Sequence, residues 1–96
     1  MMKEITRGEI QGVLFYYNQM LDAVEKEDIV YLKHLVATNI KKIANVKASK
    51  KRKELTEEEK KNIDALSLCF YKNVLEKNTI REIIDDLEFI GYKVLD

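Results

Sequence analysis

The chain is predicted to be all-α: a small antiparallel four-helix bundle made of two helical hairpins joined by a basic loop, with a short last helix. Three observations lead there. Proline is absent and glycine occurs only three times, while Ala, Leu, Glu, Lys and Ile are abundant, so turn-formers are scarce and helix-formers common. The pattern Thr-x-x-Glu recurs at Thr6/Glu9, Thr56/Glu59 and Thr79/Glu82. Each fits a capping box, in which the Thr hydroxyl accepts from the backbone N–H three residues on and the Glu carboxylate reaches back to the Thr N–H. Behind each of these signals, apolar residues repeat at helical spacing. With 96 residues, the chain forms one domain, 1–96, able to remove roughly 60 to 65% of its unfolded surface from water. Helices are expected at about 7–25, 29–47, 57–77 and 80–90.

The first helix begins at the Thr6 cap, with Ile5 and Ile10 at the staple positions. Ile10, Val13, Leu14, Tyr17, Met20, Leu21 and Val24 share a face to about Glu25. Continued unbroken, Ile29, Leu32 and Val36 would fall out of phase with that stripe. A turn near Lys26 to Asp28, with Asp28 as a new start, restores it. Ile29, Leu32, Val36, Ile40 and Ile43 then line one face of helix two, with Leu35 and Val46 on its shoulder.

Helix three follows Thr56, with Glu57 and Glu58 suited to the positive end of its dipole. It carries one stripe of Ile63, Leu66, Phe70 and Val74 and a second ridge of Leu68, Tyr71 and Leu75 more than about 80° away. That arc is too wide for one neighbour, so this helix is either the most central one or docks a ridge on another molecule. Helix four places Ile80, Ile83, Ile84, Leu87 and Ile90 together and stops at Gly91, where Tyr92 is positioned to close a Schellman motif against Leu87.

Charge is segregated. Residues 29–53 hold eight bases, Lys33, Lys41, Lys42, Lys47, Lys50, Lys51, Arg52 and Lys53, and no acid, inside a chain of zero net charge. The flanking segments 1–28 and 54–96 carry −3 and −5. Lys41, Lys42 and Lys47 are expected in the last two turns of helix two, where cations complement the dipole. The knot Lys50, Lys51, Arg52 and Lys53 has no such explanation. With Lys47 it forms the candidate polyanion site, and nucleic-acid binding through loop 47–53 is the alternative function. Against that reading, the domain is neutral, the loop has no aromatic, and Glu82, Asp85, Asp86 and Glu88 make helix four a poor reader of phosphates.

Signs of catalysis are few. Cys69 stands alone, so an intramolecular disulfide and the Cys-rich zinc spacings are ruled out within this sequence, and Cys69 reads as a plain buried or semi-buried thiol. His34 lies on the polar face of helix two with no Ser, Cys or acid at helical spacing to activate it. Glu54, Glu57 and Glu58, with Glu82 and Asp85, resemble the paired acidic motifs with which all-α nucleotide pyrophosphohydrolases hold Mg²⁺. That family's first motif is a Glu-Glu-x-x-Glu run inside a helix, whereas here Glu58-Glu59 is followed three residues later by Asn62, and helix capping accounts for Glu57 to Glu59 and Glu82. No catalytic residue, metal or cofactor is expected.

The leading expectation is a non-catalytic helical protein of regulator, inhibitor or adaptor type that acts by protein–protein binding, with a homodimer among its forms. Its candidate contact residues are Phe15, Leu68, Tyr71, Leu75 and Phe89, since Phe15 and Phe89 project opposite the apolar stripes of their helices and aromatics contribute disproportionately to interfaces. With no run of about 18 apolar residues and no signal-peptide pattern at Met1 to Ile5, the expected location is the cytoplasm.

Overall fold

The computed structural model describes the backbone of residues 3–22 and 29–95 and the side chains of all of these except Ile29. The elements run β1 (Lys3–Thr6), α1 (Arg7–Asp22), α2 (Ile29–Ile43), a 3₁₀ turn (Arg52–Glu54), α3 (Glu57–Leu75), α4 (Ile80–Phe89) and β2 (Tyr92–Leu95). The described residues are thus mostly helical, with four helices in a compact body of 41 × 33 × 19 Å. The 19 Å dimension spans about two helix layers at the usual 8–10 Å interaxial distance, so each helix keeps an outward face. α1 packs on α2, α3 touches α1, α2 and α4, and α4 packs on α3 and β2.

All three capping boxes form. Thr6, Thr56 and Thr79 each donate a backbone N–H to the Glu three residues on, at 2.9, 2.9 and 3.1 Å, and each hydroxyl accepts that Glu's N–H in return. Such a cap is worth about 1 kcal/mol relative to Ala. Ile5 and Ile10, the staple pair, are both fully buried.

The strand pair is the feature that sequence periodicity missed. β1 and β2 pair in parallel, Lys3 opposite Tyr92 and Thr6 opposite Leu95. Parallel strands require a long crossover, and here all four helices form it. Thr6 ends β1 and caps α1, so strand and helix abut with no connecting loop. Gly91 follows α4 with φ +103° and donates to the Glu88 carbonyl, the inner bond of the expected Schellman turn. Tyr92 then enters β2 and buries its ring in the core.

Two helix ends fall short of expectation. α2 stops at Ile43 rather than near residue 47, because Asn45 turns left-handed (φ 62°) and closes a Schellman motif: its N–H reaches the Lys42 carbonyl and that of Val46 reaches Lys41, at 3.1 and 2.8 Å. Lys47 therefore lies beyond the helix, not in its last turn. α3 stops at Leu75 in the same way, with Lys77 at φ 54° and the Asn78 N–H on the Asn73 carbonyl. α1 is described to Asp22; Val24, the turn at Lys26 to Asp28 and the place of the Ile29 side chain lie outside the described residues.

The core joins Ile5, Ile10, Val13 and Tyr17 from the first strand and helix, Val36, Ile40 and Ile43 from α2, Leu66, Cys69, Phe70 and Val74 from α3, Ile83, Ile84 and Leu87 from α4, and Tyr92 from β2. The expected stripes are recognisable in it. Leu21, assigned to the core-facing stripe of α1, is instead exposed: it lies at the edge of the arc that Ile10, Val13 and Tyr17 bury.

Candidate functional site

The five candidate contact residues all reach solvent: Phe15 is 58% exposed, Leu68 66%, Tyr71 49%, Leu75 52% and Phe89 91%. α3 thus buries its Leu66–Phe70–Val74 stripe and leaves the second ridge outside. Leu68 and Phe89 come together across a groove of about 250 Å³ between α3 and α4, whose walls are Ala65, Leu68, Cys69 and Lys72 on one side and Asp86, Phe89 and Ile90 on the other. Leu75 lies two turns beyond Leu68 on the same helix face. Tyr71 sits on the opposite flank of the ridge, in a shallow hollow with Tyr17 and Met20 of α1 and Val36 and Ile40 of α2. Burial, helped by the nearby Tyr71, raises the pKa of the Tyr17 hydroxyl. Phe15 is on α1 and stacks edge-on to Tyr16, with ring centroids 5.5 Å apart; it lines neither the α3–α4 groove nor the hollow beside Tyr71.

Beneath the groove lies Asn73, the only fully buried polar side chain among the described residues. Its amide nitrogen donates to the Cys69 carbonyl and to Asp86 Oδ2, each at 2.8 Å, and its Oδ1 accepts from Asn78 Nδ2 at 2.8 Å. One amide therefore ties α3 to α4 and to the turn between them. Cys69 is buried beside it. Desolvation, reinforced by the Asp86 carboxylate, pushes its thiol up to about 11, so it is protonated and unreactive at neutral pH.

The basic loop is arranged differently. Lys50 Nζ pairs with Glu59 Oε1 at 2.7 Å. The Arg52 guanidinium grips both oxygens of Asp64, at 3.0 and 2.9 Å. Lys41 reaches from α2 to the Lys50 carbonyl at 2.9 Å. The Lys50 ammonium, followed by the Thr56 N–H, holds the Glu59 carboxyl below its usual range, and Arg52 does the same for Asp64. Two of the loop bases thus fasten the 3₁₀ turn to the first two turns of α3. Lys47, Lys51 and Lys53 remain exposed.

Three of the five acids of the pyrophosphohydrolase-like pattern are likewise engaged in local structure. Glu57 lies 3.4 Å from Lys60, Glu82 caps α4, and Asp85 is 3.9 Å from Arg81. Among the described residues, no three His, Cys, Asp or Glu side chains converge as a metal site would need. His34 is exposed on α2. No described helix is long and apolar enough to cross a membrane.

Two features went unread in the sequence. Asn73 falls at i+3/i+4 from Phe70 and Cys69 on the buried side of α3, and that spacing was the available signal. Tyr92 is 4% exposed, and its hydroxyl has no hydrogen-bond partner among the described residues; burial raises its pKa. Lys3 lies over its ring, 5.7 Å from the centroid, and donates to Asn62. Compared with known proteins, the chain matches no protein-family model, no curated protein and no solved structure.

Proposed function

We propose that this protein has no catalysis of its own and acts by binding another protein through the outer face of the α3–α4 hairpin. The observation that carries this reading is the meeting of Phe89 and Leu68, at 91% and 66% exposure, across an apolar groove. Single exposed apolar residues are ordinary; Leu68 and Phe89 lining one groove, with Leu75 further along the same helix face and Tyr71 on the other flank of the ridge, form the pattern of a contact surface. Phe89 is the anchor of that surface, a large rigid side chain that gains most from desolvation. Phe15, on α1, belongs to a separate patch and is not part of this site.

Polyanion binding through the loop has less support, since Lys50 and Arg52 are already paired with Glu59 and Asp64. The test of the main reading is affinity capture from cells of origin with the wild-type chain and with the double variant Leu68→Ser/Phe89→Ser. The expected result is a partner held by the wild type and lost by the variant, while neutralising Lys47, Lys51 and Lys53 leaves capture unchanged. A partner retained by the double variant overturns this reading.

A further inference from the structure

The groove is complementary to itself. Its α3 wall presents Leu68 and the cation Lys72; its α4 wall presents Phe89 and the anion Asp86. A two-fold axis running along the groove would lay the α3 wall of one molecule on the α4 wall of another, joining apolar to apolar and cation to anion twice over. An axis across the helices would instead stack α3 on α3 and pair neither set. Resting on the reading proposed above, we infer that the occupant of this face is a second copy of the chain, with Leu68 against Phe89 of the partner subunit and Lys72 against Asp86 of the partner subunit.

Area and charge agree with this pairing. Leu68, Leu75 and Phe89 together expose roughly 400 Å², about half of the ~800 Å² that each member of a standard interface buries. The chain's zero net charge imposes no long-range repulsion between copies. An isologous contact of this kind also closes on itself, so it yields a dimer and no filament.

Leu68 and Phe89 are exposed, so replacing them leaves the fold of the monomer intact, which circular dichroism checks. Sedimentation equilibrium is then run on the wild type, on Leu68→Lys, on Phe89→Glu, and on an equimolar mixture of the two variants. The wild type is expected to be a dimer, and each variant alone is expected to dissociate about tenfold more readily or beyond. The mixture is expected to recover dimer, because one of its two contacts keeps Leu68 on Phe89 and the other pairs a cation with an anion. A wild type that is monomeric up to about 100 µM overturns the second copy as occupant, while the capture experiment still decides whether the face binds a different protein. A dimer that neither variant weakens overturns its location, and a mixture that stays monomeric overturns the pairing.

Discussion

The basic loop before α3 and the hairpin after it carry the two excesses visible in the sequence, one of charge and one of apolar side chains, and the structure handles them in opposite ways. In the loop, Lys50 and Arg52 fold back on Glu59 and Asp64, so half of the knot fastens the chain to itself. In the hairpin, a buried amide makes the fastening: Asn73 joins α3, the turn and α4 from beneath, and the ridge above it is left facing water. An excess met within the chain explains a residue without invoking a partner. An excess left outside does not, and that difference is why the contact surface is sought on α3 and α4.

The sharpest way to break this contrast is to cut on both sides of α3. Phe70→Ala removes a fully buried ring and is expected to cost about 3 to 5 kcal/mol by urea denaturation. Leu68→Ala, two residues earlier, is expected to stay within about 0.5 kcal/mol at concentrations where the chain is monomeric; equal losses would mean that the ridge is buried. Asn73→Ala strips the hairpin of its internal fastening and strands the Asp86 carboxylate, for an expected loss of about 2 kcal/mol.

The turn itself gives a gain. Lys77 sits at φ 54°, where a side chain is strained, so Lys77→Gly is expected to stabilise the chain by about 1 kcal/mol in the same titration. The smallest effect belongs to the loop. The Glu59 carboxyl titrates below its unfolded value, so its stabilisation is present above about pH 4.3 and is lost as the pH falls through the folded value. Lys50→Ala should therefore lower the melting temperature slightly near pH 7 and match the wild type once the pH falls below the folded value of Glu59. An offset that persists in acid would assign Lys50 another role.

Local signals were the legible ones. The three Thr-x-x-Glu caps and the apolar stripes of α2, α3 and α4 depend on residues within a turn or two of each other, and the structure places them as the spacing predicts. Phase alone placed Phe15 and Phe89 opposite their stripes, but it left the Leu68, Tyr71 and Leu75 ridge either buried in a central helix or outside, and only the structure shows it exposed. The end of α2 was overrun because Asn45 is a weaker terminator on paper than the glycine at Gly91, though both take positive φ. Lys50 and Arg52 looked unpartnered because Glu59 and Asp64 lie nine and twelve residues on, across a helix boundary that no fixed spacing describes. Asn73 was missed because a polar residue inside an apolar stripe reads as a gap, when here it is the hub. β1 and β2 were invisible for a different reason: each is four residues long, and neither has a neighbour nearby in sequence to pair with.

That strand pair bears on the order in which the molecule assembles. Capped helices and the α3–α4 hairpin are local and close quickly, whereas Lys3 meets Tyr92 roughly 90 residues away, the most costly loop to close in the chain. The clasp is therefore a late event, waiting for α4 to deliver β2 to the start of α1. Ile5, which β1 carries into the centre of the core, is sealed at that step, so hydrogen exchange should find the strand amides the last to gain protection during refolding.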